Sequence, residues 1–112
     1  MNDSCSLSNR ECVPCKGGVP PLSEEQSGKL LAELDSDWKL IDNHHIERTC
    51  KFPNFTEALA FTNRVGDVAE KQGHHPDIEL GWGRVKIILC THKINGLTES
   101  DFIMAAKADA AL

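Results

Sequence analysis

Hydrophobic and polar residues recur along this chain with two different periods, which separates predicted helices from predicted strands. From Phe55 to Gln72, apolar residues return every three or four positions, which predicts an amphipathic helix. A similar segment follows Ser23, which has Gln26 at the spacing of a capping box, and predicts a first helix of about three turns. A third helix is expected after Thr98. The first helix owes its apolar face to Leu30, Leu31 and Leu34.

In four further segments, apolar and polar residues alternate with a period of two, as they do in strands with one buried face. The segments 38–41 and 46–52 flank a polar turn and predict one hairpin. The segments 77–82 and 85–90 flank Gly83 and predict a second. The resulting order, α-β-β-α-β-β-α, predicts an α+β fold with three helices packed on one face of a four-stranded antiparallel sheet.

The first residues of the chain show neither period. Residues 17–21 read Gly-Gly-Val-Pro-Pro, which predicts an extended connector because paired Gly and Pro disfavour both helix and central strand. We therefore expect an irregular N-terminal segment, 1–21, followed by a single domain, 22–112. A chain of 112 residues is long enough for one hydrophobic core.

Composition and charge narrow the function classes. With 40% hydrophobic and 26% charged residues, the chain has the composition of a folded, soluble domain. A net charge of −5 with scattered basic residues argues against binding to nucleic acid. No apolar stretch approaches the roughly 20 residues of a membrane helix, and the polar N-terminus does not resemble a signal peptide. A cytoplasmic location without membrane contact is expected.

The five cysteines are an odd number, which argues against a disulfide framework in a chain of this kind. Cys50 and Cys90 fall in strand-like segments and are predicted to be small buried hydrophobic residues. Cys5, Cys12 and Cys15 include one Cys-x-x-Cys pair, which is half of a zinc site, but the third cysteine has no standard spacing. Zinc binding by these three stays open as an alternative.

Four of the five histidines form adjacent pairs. His44-His45 lies beside a predicted turn and is expected to be solvated. His74-His75 follows the end of the second predicted helix and precedes Pro76, which holds the preceding residue extended. The two rings should therefore diverge and serve different positions around a site. Carbonyl groups at a helix C-terminus also favour a charged imidazolium, which suits a general acid.

The second hairpin brings a further histidine into reach. If its strands pair antiparallel, Pro76 at the start of one lies near His92 at the end of the other, and three imidazoles converge at one end of the sheet. Glu70 and Asp101 are then placed to orient or charge-balance them. Taken singly, Glu70 is explained as a solvated charge and Asp101 as the third residue of a helix cap. From the residues alone, an acid–base site and a structural explanation both stay open.

The complete pattern resembles a known family. The run Glu70-x-x-x-His74-His75-Pro76, followed by Trp82, Thr91-His92, Gly96-Leu97-Thr98 and Asp101, is similar to the signature of the pterin-4a-carbinolamine dehydratases. The segment from Cys12 to Leu22 resembles the lead of many bacterial members. The resemblance implies the α+β fold inferred above, a homodimer or homotetramer, and a hydro-lyase. The implied reaction converts 4a-hydroxytetrahydropterin into quinonoid dihydropterin and water, which recycles the pterin cofactor of aromatic amino acid hydroxylases.

The resemblance also implies roles for particular residues. The catalytic histidines correspond to His74, His75 and His92. Supporting or substrate-binding positions are Glu70, Pro76, Cys90, Thr91 and Asp101. Imidazoles can protonate the leaving hydroxyl and deprotonate N5, so the reaction needs no metal and no cofactor beyond the reduced pterin itself. Gly73 departs from the family, in which a polar residue often precedes the histidine pair.

Two alternatives from other classes remain. The first is a metal-binding module that uses the histidines or the N-terminal cysteines. The second is a non-catalytic protein-binding module, since some animal relatives act as dimerisation cofactors of a transcription factor. An aromatic amino acid hydroxylase is the partner expected in either an enzymatic or a binding role.

Overall fold

The structure, a computed structural model, describes residues 7–13, 17 and 19–112. Within these residues the chain forms three α-helices and four strands in the predicted order, so the α+β prediction is confirmed. The helices and strands are α1 Glu24–Leu31, β1 Lys39–Ile41, β2 His45–Lys51, α2 Phe55–Gln72, β3 Asp77–Gly81, β4 Arg84–Leu89 and α3 Glu99–Ala110. Short 3-10 turns occur at Leu7–Asn9 and His92–Ile94.

All four strands belong to one antiparallel sheet with the order β1-β2-β4-β3. The two predicted hairpins are therefore joined through β2 and β4, and β4 pairs with β2 on one side and with β3 on the other. Its residues Val85, Ile87 and Leu89 are buried, whereas the residues between them face the other side of the sheet. That side is polar, with Glu47 and Lys86 joined by an ion pair of 2.9 Å.

Helix α2 occupies the bounds that the sequence predicts. The side chain of Asn54 accepts a hydrogen bond from the Glu57 N–H and caps the first turn, and Gly73 ends the helix with a left-handed φ of 65°. The apolar positions Phe61 and Val65 are fully buried against the sheet side of the domain. The whole buried stripe is Ala58, Phe61, Val65 and Ala69.

Helix α1 is shorter than predicted. It ends at Leu31 instead of continuing to Leu34, so the expectation of about three turns is wrong by one turn. After Leu31 the backbone hydrogen bonds join residues three apart. The Glu33 N–H donates to the Leu30 carbonyl and the Leu34 N–H to the Leu31 carbonyl. Leu34 still packs against the core from this turn. The apolar spacing thus identified the residues that reach the core and not the end of the helix.

One charged residue interrupts the core-facing side of β2. Arg48 is 12% exposed and its guanidinium lies 2.8 Å from an Asp109 carboxylate oxygen. Trp38 donates its indole N–H to the same carboxylate at 2.9 Å. This cluster joins the sheet to the end of α3 around a charge pair that is largely shielded from water.

The described part of the N-terminal segment contacts the domain. Leu7 is 3% exposed and belongs to the hydrophobic core. Further along, Leu22 N–H donates to the Leu97 carbonyl. The division of the chain at residues 21 and 22 stays a prediction. No helix in the described ranges is long and apolar enough to span a membrane.

Candidate active site

The turn at Gly73 and the antiparallel pairing of β3 with β4 place the candidate residues at one end of the sheet. Gly73 turns the chain out of α2, so that His74 and His75 precede β3 directly. On the neighbouring strand β4, Thr91 and His92 follow the last paired residues. Because β3 and β4 are antiparallel, with Asp77 opposite Ile88, the start of one strand lies beside the end of the other.

The most enclosed contact of the site joins His74 to Asp101. The His74 Nε2 lies 2.6 Å from Asp101 Oδ1, and the carboxylate side chain is completely buried. The second oxygen, Oδ2, accepts a hydrogen bond from the Thr91 hydroxyl at 2.8 Å and one from the Thr98 N–H at 3.0 Å. Asp101 therefore both caps α3 and contacts an imidazole. The helix-cap explanation and the site explanation of this residue are both correct.

These contacts determine which nitrogen of His74 carries a proton. An ionised carboxylate only accepts hydrogen bonds, and here one oxygen already accepts two. The His74 Nε2 must therefore donate a proton to the other oxygen, Oδ1. Its Nδ1 is left as the nitrogen for proton exchange with a substrate.

The other two imidazoles have solvated carboxylate partners. His75 Nε2 lies 3.2 Å from Glu70 Oε2, and the two side chains are 61% and 80% exposed. His92 Nε2 lies 3.9 Å from Asp77 Oδ2, and both side chains are also largely exposed. Water screens such pairs, so they hold their rings much less firmly than Asp101 holds His74.

All three histidines line a single cleft with a volume of about 310 Å³. Cys90, Thr91, Gly73 and Lys93 complete its walls. Glu70 and Pro76 line a second cleft of about 500 Å³, which shares His75 with the first. The structure thus brings eight predicted site residues into one region. Five line the histidine cleft, Glu70 and Pro76 lie next to it, and Asp101 lies beneath His74.

Three residues of this region were not assigned to the site from the sequence, although Thr98 was predicted to precede the third helix. Lys93 lines the cleft, Asp77 is paired with His92, and Thr98 donates to Asp101. Asp77 lies two residues after the histidine pair, at the start of β3. The antiparallel hairpin that predicts the position of His92 therefore also predicts that Asp77 lies near it. No sequence pattern predicted that Lys93 would line the cleft.

The thiol of Cys90 lies at the inner wall of the cleft. Its side chain is buried, as predicted, and it donates a hydrogen bond of 3.6 Å to the Gly96 carbonyl. Burial raises the pKa of the Cys90 thiol, which keeps it protonated at neutral pH. His44 lies 3.9 Å from this sulfur and 2.8 Å from Asn95 Oδ1, so the first histidine pair is half-buried and not freely solvated as expected.

The metal alternative concerns the histidines and the N-terminal cysteines. Among residues 7–13, 17 and 19–112, no group of three or more His, Cys, Asp or Glu side chains has a geometry that could hold a metal ion. Cys5 and Cys15 lie outside the described residues. Cys12 directs its sulfur at the Ser100 carbonyl, and burial raises the pKa of its thiol to about 11.

Comparison with known sequences identifies the family. The family described as pterin 4 alpha carbinolamine dehydratase matches residues 20–111. The chain belongs to this family. A protein of Alkaliphilus metalliredigens is 54% identical over 93% of this chain and 94% of its own length. One of Rubrobacter xylanophilus is 58% identical over 92% and 95%, and both are named "Putative pterin-4-alpha-carbinolamine dehydratase". Enzymes of this name are hydro-lyases, which confirms the predicted class.

Solved structures give the same fold. A structure described as a transcriptional coactivator/pterin dehydratase from Brucella melitensis superimposes with a TM-score of 0.76 at 37% identity, and covers 81% of this chain and 97% of the Brucella chain. A pterin dehydratase-like protein, described as a RuBisCO assembly factor of the alpha-carboxysome, has a TM-score of 0.58 at 23% identity, over 67% and 88% of the two chains. The second likeness shows the fold alone.

Proposed function

We propose that this protein dehydrates 4a-hydroxytetrahydropterin to quinonoid dihydropterin by metal-free histidine acid–base catalysis. The observation that carries the proposal is the convergence of His74, His75 and His92 on one cleft, with His74 fixed by a buried carboxylate. Family membership supplies the reaction class. The histidine roles are our inference from the geometry.

The proposed step exchanges two protons and breaks one bond. An imidazolium donates a proton to the C4a hydroxyl, the C4a–O bond breaks, and water leaves. An imidazole takes the proton from N5 as the C4a=N5 double bond forms, so no electrons enter or leave the pterin. Positioned acid and base groups of this kind contribute about 10²- to 10⁴-fold to a rate.

We assign the acid role to His74 because Asp101 holds its Nε2 at 2.6 Å and leaves Nδ1 to donate a proton to the substrate. His92 is proposed as the base because its exposed ring also lines the cleft and has no buried carboxylate partner. His75, which lies between the two clefts, is proposed to bind the pterin ring. Cys90 and Thr91 contribute the wall next to the ring.

The proposed setting follows from the same reaction. An aromatic amino acid hydroxylase would produce the 4a-hydroxypterin, and the dehydratase would return the pterin to its reductive cycle. We further propose that the protein works in the cytoplasm as a homodimer or homotetramer. Analytical ultracentrifugation of the purified chain tests the oligomeric state directly.

The catalytic test follows 4a-hydroxytetrahydropterin, generated in situ, by the decay of its ultraviolet absorbance. Chelator-treated wild type should accelerate this decay over the uncatalysed rate. His74→Ala and His92→Ala should each lose about 10²-fold or more of that acceleration. His45→Ala is the matched control, because His45 pairs with Glu47 outside the cleft and should retain the activity.

Either of two results would overturn the proposal. The first is no acceleration by micromolar wild-type protein whose circular dichroism shows an intact fold. The second is equal activity in wild type and both cleft variants. Activity that disappears with the chelator and returns with zinc would replace histidine catalysis by the metal alternative.

A binding role is the second candidate, because the Brucella relative is described as a transcriptional coactivator as well as a pterin dehydratase. A His75→Ala variant separates the two roles. If it loses activity and still sediments with an aromatic amino acid hydroxylase, binding is independent of catalysis. If neither wild type nor variant associates with the hydroxylase, this candidate fails.

A further inference from the structure

Residues 7–13, which we call the N-terminal strap, lie along helix α3. Leu7 inserts into the core beside this helix, and the Lys107 ammonium donates to the Ser8 carbonyl at 3.0 Å. Closer to the start of the helix, the Arg10 guanidinium lies 2.7 Å from the Glu99 carboxylate. The strap therefore follows α3 from its last turns to its first turn. The family match begins at residue 20 and does not include it.

The end of the strap is hydrogen-bonded to two helices at once. The Cys12 N–H donates to Gln72 Oε1 at 2.8 Å, and the Gln72 amide donates to Glu11 at 2.6 Å. The next residue, Val13, donates its N–H to the Ser100 hydroxyl at 2.9 Å and accepts from it through its carbonyl at 3.2 Å. Ser100 is 5% exposed, so its hydroxyl forms its hydrogen bonds with the strap and not with solvent.

The two helix positions that the strap holds are next to the buried pair of the site. Gln72 is the last residue of α2, two positions before His74. Ser100 immediately precedes Asp101 in the first turn of α3. A strap that fixes the distance between Gln72 and Ser100 therefore also limits the distance between the two helix ends that the His74–Asp101 contact joins.

We propose that the strap is a positioning element of the active site, with Ser100 and Gln72 as positioning residues for His74. The inference rests on the proposed function of His74. Hydrogen bonds weaken steeply with poor distance and angle, and the 2.6 Å contact has little tolerance for separation of the two helices. Loosening the strap should therefore reduce turnover by roughly 3- to 10-fold through His74. The effect is moderate because the Asp101 carboxylate is still present and is only less well aligned with His74 Nε2.

The backbone contact at Val13 offers a sharp pair of variants. The Val13 side chain is 70% exposed, so Val13→Ala preserves the N–H and should leave activity unchanged. Val13→Pro removes the N–H that donates to Ser100, and it also fixes φ at this position and restricts the backbone of Cys12. We expect a 3- to 10-fold lower kcat for Val13→Pro with KM changed less than 2-fold. Ser100→Ala removes the same contact from the other side and should give the same result.

A second comparison separates positioning from stability. Lys107→Ala removes the bond to Ser8, which holds the strap at the far end of α3 from the site. It should lower the melting temperature about as much as Ser100→Ala while kcat stays at the wild-type value. If both variants lose kcat in proportion to stability, the strap is only structural and the proposal is wrong.

A double-mutant cycle with Asp101→Asn tests the route of the effect. If Ser100 acts through the His74–Asp101 contact, Ser100→Ala should cost 3- to 10-fold in wild type and nothing further in the Asp101→Asn background. Equal losses in both backgrounds would overturn the proposal. An inactive wild type would refute the proposed function instead. In that case the 15N shifts of the His74 ring still decide the inference, because Val13→Pro must move them and Val13→Ala must not.

Discussion

The replacement of Asp101 by Asn tests the central contact of the proposed site. The substitution preserves shape, and its amide oxygen can still accept from the Thr91 hydroxyl and the Thr98 N–H. The amide nitrogen then faces His74 Nε2, where the carboxylate oxygen lies at 2.6 Å. Two donors cannot share a hydrogen bond, so the ring must move its proton to Nδ1. The His74 ring also loses its carboxylate partner.

The size of the effect follows from the contact that is lost. A hydrogen bond to a charged group contributes about 1.5–3 kcal/mol, and the complete burial of this carboxylate places it in the upper part of that range. At 1.36 kcal/mol per tenfold change, the upper half of this range corresponds to a fall in kcat/KM of about 40- to 150-fold. Because the cap on Thr98 survives, the free energy of unfolding should fall by only about 1–2 kcal/mol.

The assay is the absorbance decay of 4a-hydroxytetrahydropterin, with 15N spectra of the His74 ring as a second observable. Glu70→Gln is the matched control, because it makes the same change in a pair whose carboxylate side chain is 80% exposed. Water screens that pair, so the loss should stay below about 5-fold. Wild-type activity in Asp101→Asn, with the proton already moved to Nδ1, would refute the acid role of His74.

Three further predictions concern the surroundings of the site. Because burial raises the pKa of Cys12 to about 11, its alkylation by iodoacetamide at pH 8, followed by peptide mass spectrometry, should be about 100-fold slower than in the unfolded chain. Arg48→Ala should cost about 3 kcal/mol in denaturant unfolding at pH 7 by leaving Asp109 unpaired. Burial raises the Asp109 pKa, so this cost should shrink as the pH is lowered and the carboxyl becomes protonated. Gly96→Ala should cost about 1–3 kcal/mol, because its methyl group would lie 2.6 Å from the Pro21 Cβ. Equal alkylation rates, a pH-independent cost, or an unchanged melting temperature would contradict the three predictions in turn.

The sequence predicts the fold best where local signals agree with one another. Helix α2 has a continuous apolar period and a terminal glycine, and its bounds in the structure are those predicted. Helix α1 has a capping box at its start but no such signal at its end, and there the predicted length is wrong. The strand pattern also predicts the meeting of His92 with the histidine pair, because antiparallel pairing leaves few arrangements for their ends.

What the sequence could not give is the burial of each carboxylate. Glu70, Asp77 and Asp101 are all acidic residues near histidines, and the helix cap that the sequence predicts for Asp101 does not show that its side chain is buried. Only the packing of α3 against the end of β4 makes Asp101 inaccessible while the other two stay exposed. The strap was equally hidden, since most of its contacts with Gln72 and Ser100 are made by its backbone groups, which leave no hydrophobic period in the sequence.

The difference in burial implies a division of labour among the three imidazoles. The His74–Asp101 contact is already free of water, so its strength does not depend on whether a substrate is bound. The contacts of His75 and His92 with their carboxylates are solvated, and a pterin ring that enters the cleft would displace the water that weakens them. Substrate binding would therefore organise these two rings, whereas folding has already organised the first. Changes at Glu70 should for this reason appear largely in KM, and changes at Asp101 in kcat, because Asp101 orients the ring that transfers a proton in the proposed chemical step.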